Sequence, residues 1–189
     1  EYTIVTIPIL DSTDVTMENI TLYSSPGNGF VGNGDVSGLH IKDCRVTVRP
    51  GTARSISTVT DCLHICNSQG KFIIENCEFG YAGDDCINIH DNSSMGIVPV
   101  DSHSLLAKGV RKEVVLYEQE YQVELRNPDL SPTGFASRLT SVTYYEEDET
   151  CLLTFEDELP PGLSPDTVLW NRRFETHNYI IRRCRFVNN

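Results

Sequence analysis

The sequence has no run of about 18 apolar residues, the length a membrane-spanning helix requires, and no stretch with the periodicity of an amphipathic helix. Basic residues are scarce: 15 Lys and Arg stand against 27 Asp and Glu, a formal net charge of −12. That balance argues against nucleic acid or an anionic membrane as a partner. It also disfavours a polyanionic substrate. No pair of cysteines has CxxC spacing, since three residues separate Cys62 from Cys66, so neither a metal site nor a cofactor is expected. Glu1-Tyr2-Thr3 carries no signal-peptide pattern. The chain opens in strand-like sequence and stops mid-pattern at Phe186-Val187-Asn188-Asn189, as a piece of a longer protein would.

What is present is a repeat. Asp61-Cys62-Leu63-His64-Ile65 lies over Asp85-Cys86-Ile87-Asn88-Ile89 at an offset of 24 residues. Leu39-His40-Ile41-Lys42-Asp43-Cys44-Arg45-Val46 lies over Phe72-Ile73-Ile74-Glu75-Asn76-Cys77-Glu78-Phe79, and both lie over Tyr179-Ile180-Ile181-Arg182-Arg183-Cys184-Arg185-Phe186. Short aliphatic runs broken by Asn, Asp and Gly corners at this period predict an all-β fold, a right-handed parallel β-helix of the pectin-lyase-like type. Cys44, Cys77 and Cys184 share one repeat position and Cys62 and Cys86 another. These cysteines therefore read as stacked core residues.

Departures from the 24-residue spacing locate the insertions. Cys44 and Cys77 are 33 apart, and the excess falls in Arg49-Pro50-Gly51-Thr52-Ala53-Arg54-Ser55-Ile56-Ser57. Cys77 and Cys184 are 107 apart, which leaves a large excess over 92–176. Alternating segments at Val114–Glu118, Tyr121–Leu125, Leu139–Tyr144 and Leu152–Glu156, separated by proline turns, predict an antiparallel β-barrel-like module there. The expected plan is thus β-helix turns over 1–91, an inserted module over 92–176 and the resumed helix over 177–189. In the first turn, Thr3–Ile7 and Asn19–Tyr23 read as strands, with Asp11–Asp14 as the corner between them.

The chemistry is carried by Asp61, Asp84 and Asp85. Equivalent positions on successive turns lie roughly 4.8 Å apart, so three carboxylates from two turns should meet. Crowding of this kind raises at least one carboxyl pKa, leaving one group to act as acid while another acts as base. Strand parity would direct Asp85 inward with Ile87 and Ile89, so Gly83 is expected to bend the chain and turn the aspartates out. His64, Asn88 and His90 have outward parity on the same strands and are candidate substrate-binding residues, as is Arg54 in the preceding loop. The plainer reading makes these aspartates corner caps and the others exposed ladder residues. Trp170 is either a sugar platform or a core residue, and Glu146-Glu147-Asp148-Glu149 reads as a solvated turn.

Thr60-Asp61-Cys62 followed by Gly83-Asp84-Asp85-Cys86-Ile87 resembles the pattern of β-helix glycosidases that use three aspartates and invert the anomeric centre. Polygalacturonases form one branch and the α-1,3-galactosidases of glycoside hydrolase family 110 the other. The Gly51–Ser57 approach segment, Asn88-Ile89-His90, and a barrel module placed after the Asp doublet are more similar to the second. That resemblance implies an inverting exo-α-1,3-galactosidase in which Asp84 is the general acid and Asp61 and Asp85 activate water. The partner it implies is an oligosaccharide or glycan ending in α-galactose, met in an extracellular or periplasmic setting. A pectin hydrolase, a calcium-dependent polysaccharide lyase and a noncatalytic carbohydrate-binding β-helix are the alternatives.

Overall fold

The computed structural model describes residues 5–112 and 114–188. Thr3 and Ile4 of the first expected strand lie outside the described residues. The chain divides into two compact units, one running to Asp91 and resuming at Phe174, the other Asn92–Arg173.

The first unit is a stack of four coils, each with three short strands. Coil one is β1 (Val5–Leu10), β2 (Thr16–Glu18) and β3 (Thr21–Leu22). Coil two is β4 (Asn28–Asn33), β5 (Leu39–Lys42) and β6 (Arg45–Val46), and coil three β7 (Leu63–Cys66), β8 (Phe72–Glu75) and β9 (Glu78–Gly80). Coil four begins with β10 (Ile87–His90). The chain then passes through the second unit, made of β11 (Ile97–Pro99), β12 (Ser104–Lys108), β13 (Gln122–Arg126), β14 (Pro132–Tyr145), β15 (Thr150–Phe155) and β16 (Val168–Asn171). It completes coil four with β17 (Tyr179–Arg182) and β18 (Arg185–Val187).

Like strands pair in parallel and in register, giving three four-stranded sheets, β1-β4-β7-β10, β2-β5-β8-β17 and β3-β6-β9-β18. This is the parallel β-helix the repeat predicts. Leu63 faces Ile87 and Ile65 faces Ile89. Leu39, Phe72 and Tyr179 share one register position, and Val46, Phe79 and Phe186 another.

The corner between the second and third sheets has a simple cause. Asn19, Asp43, Asn76 and Arg183 occupy one position in the four coils, each with φ between 53° and 56°. Asn and Asp tolerate this left-handed conformation better than other side chains. One such residue turns the chain, and the next residue (Ile20, Cys44, Cys77 or Cys184) packs in or against the core. Arg183 is the exception in type. It is held by ion pairing to Glu75 at 2.6 Å and by donating from Nε to Asn76 Oδ1 at 2.6 Å.

The core is the inward ladder of Phe30, Leu39, Ile41, Val46, Leu63, Ile65, Phe72, Ile74 and Phe79, all essentially inaccessible. Cys44, Cys62, Cys77 and Cys86 belong to the same cluster. All seven cysteines are free thiols. The 33-residue spacing is explained by 48–56. Thr47 N–H still bonds Leu22 of coil one, while Ser57 N–H already bonds Tyr81 of coil three, so the extra length loops out between them.

The second unit is one antiparallel sheet, curled into a half-barrel, in the order β11-β12-β15-β14-β13-β16. Its core is Ile97, Leu105, Ala107, Val123, Leu125, Leu139, Leu153, Phe155 and their neighbours. Val114–Glu118, expected as a strand, forms none. Its backbone is satisfied locally and by side chains instead: the Val114 and Val115 N–H groups donate to the Arg111 carbonyl, Tyr144 Oη accepts from Tyr117 N–H at 2.6 Å, and Asn171 Nδ2 donates to the Leu116 carbonyl at 2.7 Å. Val115 and Tyr117 are buried as their apolar character requires, but in a turn rather than a ladder. Glu146–Asp148 is a short 3-10 turn with no buried residue. Trp170 is half-buried under the Arg126 guanidinium, 4.5 Å from the ring centre.

Candidate active site

Asp61 and Asp85 stand at equivalent places, just ahead of β7 and β10. Coils three and four are hydrogen-bonded before these strands begin. Cys62 N–H donates to the Asp85 carbonyl at 3.0 Å and Leu63 N–H to the Cys86 carbonyl at 3.2 Å. Cys62 and Leu63 are consecutive, yet both lie in the apolar core. Strand alternation is therefore broken by one residue at this point, and Asp61 leaves on the outer side. Cys86 and Ile87 repeat the arrangement one coil later.

Gly83 is needed for a different reason from a left-handed turn. Its N–H donates to the Thr58 carbonyl at 2.9 Å. A Cβ there would lie 2.2 Å from the Val59 carbonyl oxygen and 2.9 Å from its carbon. Only glycine lets coil four approach coil three this closely. From the other side, Asn28 of coil two fixes the approach to Asp61. Its Oδ1 accepts from Thr60 Oγ1 at 2.6 Å and from the Asp61 N–H at 3.0 Å. Sequence reasoning had no handle on Asn28, because it lies a coil away with no chemistry of its own.

One oxygen from each of Asp61, Asp84 and Asp85 comes within 4.8 Å of the others. The three environments differ. Asp84 and Asp85 are exposed, whereas Asp61 is buried. A buried carboxylate needs donors, and Asp61 has them. His64 Nδ1 donates to Oδ2 at 2.6 Å and the Asp85 N–H donates to Oδ1 at 3.1 Å. Burial pushes the Asp61 carboxyl up, but the hydrogen bonds from His64, the Asp85 amide and the Asn88 side chain outweigh it and leave the group below the usual carboxylate range. For Asp61 the crowding expectation therefore reverses: this carboxyl is held ionised. The same bond to Asp61, with a further one to Cys66, lifts the His64 imidazole to about 9 against the effect of burial.

The outward residues of β7 and β10 meet. His64 and Cys66 are alternate residues of β7, and His90 stands opposite Cys66 in the register. The Nε2 atoms of His64 and His90 are 3.1 Å apart, with the rings at 89°. Among the described residues, two groups have the donor atoms to hold a metal ion: the three aspartates, and His64, Cys66 and His90, whose ligand atoms also lie within 4.8 Å of one another. Cys66 is a functional candidate that repeat alignment passes over. The signal for it was His-x-Cys on one strand with a histidine in register on the next. The structure places His64 and Asn88 on Asp61, and His90 on His64. Arg54 is on the exposed 48–56 loop, its Nε donating to the Ile56 carbonyl at 3.3 Å. On the same loop Arg49 covers the Tyr23 ring at 5.0 Å.

No family model matches the chain. It is a distant homologue of bacterial α-1,3-galactosidases. It is 27% identical over 179 residues to alpha-1,3-galactosidase B of Akkermansia muciniphila, a match that covers 92% of this chain and 22% of that protein. It is 23% identical over 189 residues to alpha-1,3-galactosidase A of Shewanella woodyi, covering 96% of this chain and 30% of that protein. A third relative, alpha-1,3-galactosidase A of Bacteroides fragilis, is 26% identical over 97 residues, or 51% of this chain and 16% of that protein. The chain thus spans under a third of the length of the curated relatives it matches.

Proposed function

We propose that this chain carries the three-aspartate centre of an exo-acting α-1,3-galactosidase that releases terminal galactose with inversion. The observation that carries the reading is the convergence of Asp61, Asp84 and Asp85 within 4.8 Å from two stacked coils, in a chain homologous to α-1,3-galactosidases over most of its length.

The roles follow from environment. Asp61, kept ionised by His64 and the Asp85 amide, is suited to accept a proton from water. Asp85 beside it shares that task. Asp84, exposed next to both, protonates the leaving oxygen. His64, Asn88, His90 and Arg54 are assigned to the sugar groove, with His64 and Asn88 also holding Asp61. Glycans of this kind are met outside the cytoplasm, so the protein is placed in an extracellular or periplasmic setting. The net charge of −12 suits a neutral galactoside better than polygalacturonate.

Inversion rests on the resemblance rather than on the spacing. A general-base water is usually accommodated by carboxyl groups about 6.5–9.5 Å apart, and a covalent intermediate by about 5–5.5 Å. The oxygens here are closer than either. Proton NMR of the full-length parent, with this chain beside it, incubated with α-1,3-linked galactobiose and separately with polygalacturonate, decides the matter from the parent's products. The expected first product is β-galactose, which then mutarotates, and Asp84→Asn abolishes its release. Early α-galactose would replace inversion with retention. Galacturonic acid would move the chain to pectin hydrolysis, and no product from either substrate would overturn the reading.

A further inference from the structure

The inward faces of coils three and four are accounted for by core packing and the aspartate face by the proposed hydrolysis. One step further along β7 and β10, His64 and His90, assigned above to the sugar groove, stand with Cys66, to which that reading gives no role. We propose that His64, Cys66 and His90 form a binding site for one zinc-class transition-metal ion, built across the two coils.

Three independent features support it. The first is placement. His64 and Cys66 are i and i+2 on one strand, so they share a face. His90 lies opposite Cys66 on the neighbouring strand. The ligand-bearing residues therefore sit on regular, paired backbone rather than on loops. The second is the geometry of the imidazoles. Their Nε2 atoms are 3.1 Å apart with the rings perpendicular. Two nitrogens bound tetrahedrally to zinc at about 2.0–2.1 Å stand about 3.3 Å apart. Without an ion a single proton must hold the pair, whereas with one both lone pairs are used. His64 is already oriented for this. Its Nδ1 is bonded to the buried Asp61 carboxylate at 2.6 Å, the outer-shell partner that fixes the tautomer of a ligating histidine and presents Nε2.

The third is the thiol. Cys44, Cys62, Cys77 and Cys86 lie in the core of the first unit, Cys184 packs against it, and Cys151 lies in the core of the second. Cys66 belongs to neither cluster; it is buried on the same face of β7 as His64. Its Sγ lies within 4.8 Å of a ring nitrogen of each histidine. Two imidazoles and a thiolate select zinc, cobalt or copper(I) over calcium and magnesium, which take oxygen ligands. Binding releases the thiol proton and the proton shared by the imidazoles. Three protein ligands leave a tetrahedral ion one open position.

The test is spectroscopic and independent of hydrolysis. The reduced, chelator-treated chain is titrated anaerobically with Co²⁺, then with Zn²⁺. The expected result is one equivalent bound, with a thiolate-to-cobalt charge-transfer band and the intense visible bands of tetrahedral cobalt, all bleached by Zn²⁺. Cys66→Ser removes the charge-transfer band while Cys184→Ser keeps it. His90→Gln weakens binding at least about tenfold and Asp61→Asn by about 10–100-fold. Circular dichroism establishes that each variant is folded; should Cys66→Ser fail to fold, the His90→Gln measurement stands in its place. No stoichiometric binding, octahedral cobalt without the thiolate band, or a band that survives Cys66→Ser would overturn the proposal.

Discussion

Gly83 and Asn28 carry no chemistry, yet the position of Asp61, Asp84 and Asp85 depends on them. A methyl at Gly83 meets the Val59 carbonyl oxygen at 2.2 Å, and backbone cannot yield as a side-chain tip can. Gly83→Ala is therefore expected to destabilise the protein by about 1–3 kcal/mol, the usual range for overpacking, read as a lower urea midpoint at unchanged slope. Asn28→Ala leaves the Thr60 hydroxyl and the Asp61 amide without their acceptor. A cost of about 1–3 kcal/mol is expected, with a shift of the Asp61 amide resonance that a remote surface variant does not produce. Unaltered stability and spectrum in Asn28→Ala would show that Asp61 is held from coil four alone. The aspartates themselves were legible in the sequence because the repeat aligns Asp61 with Asp85. The burial of Asp61 was not, since strand parity says which face a residue leaves from and not what covers it.

At the level of the strand and its corner, the second sheet is tied by charge as well as by its ladder. Glu75, buried on β8, takes Arg182 Nε and Arg183 Nη2 at 2.7 and 2.6 Å and His40 Nε2 at 2.9 Å. The hydrogen bond from Arg182, then that from His40, holds its carboxyl below the usual value against the effect of burial. A depressed carboxyl contributes stability that is fully present above the unfolded pKa and lost as pH falls through the folded one. The wild-type protein is thus expected to lose stability as pH falls below the ordinary glutamate range, and Glu75→Gln to be less stable at neutral pH with a flatter acid limb. Parallel curves for the two proteins would remove Glu75 from the account. The strands themselves could be read from sequence because one residue type recurs at each corner and each ladder position. Val114–Glu118 could not, because its alternation is real but its hydrogen bonds go to the Arg111 carbonyl and to the side chains of Asn92, Tyr144 and Asn171, which no local pattern reveals.

Across the stacked coils, the ladder residues of coil three are sealed between neighbours on both sides: Phe72 and Phe79 are fully buried. Stability in stacked repeats is a sum of coil and interface contributions. Phe72→Ala is expected to cost about 3–5 kcal/mol, read as a lower urea midpoint. Amide exchange should be slow in β5 and β8, which are paired on both edges. A cost at Phe72 no larger than that of an exposed surface residue would contradict this account.

The two long departures from a regular pitch among the described residues, 48–56 and the unit at 92–173, both fall outside the interval from Asp61 to Asp85, which is one plain coil. Length can therefore be gained or lost at either place without altering the distance between the carboxylates. The arrangement separates what is free to diverge from what must stay constant. Whole loops could be exchanged between relatives as cassettes, reshaping the surroundings of the aspartates, while a single-residue insertion between 61 and 85 would put the pair out of step.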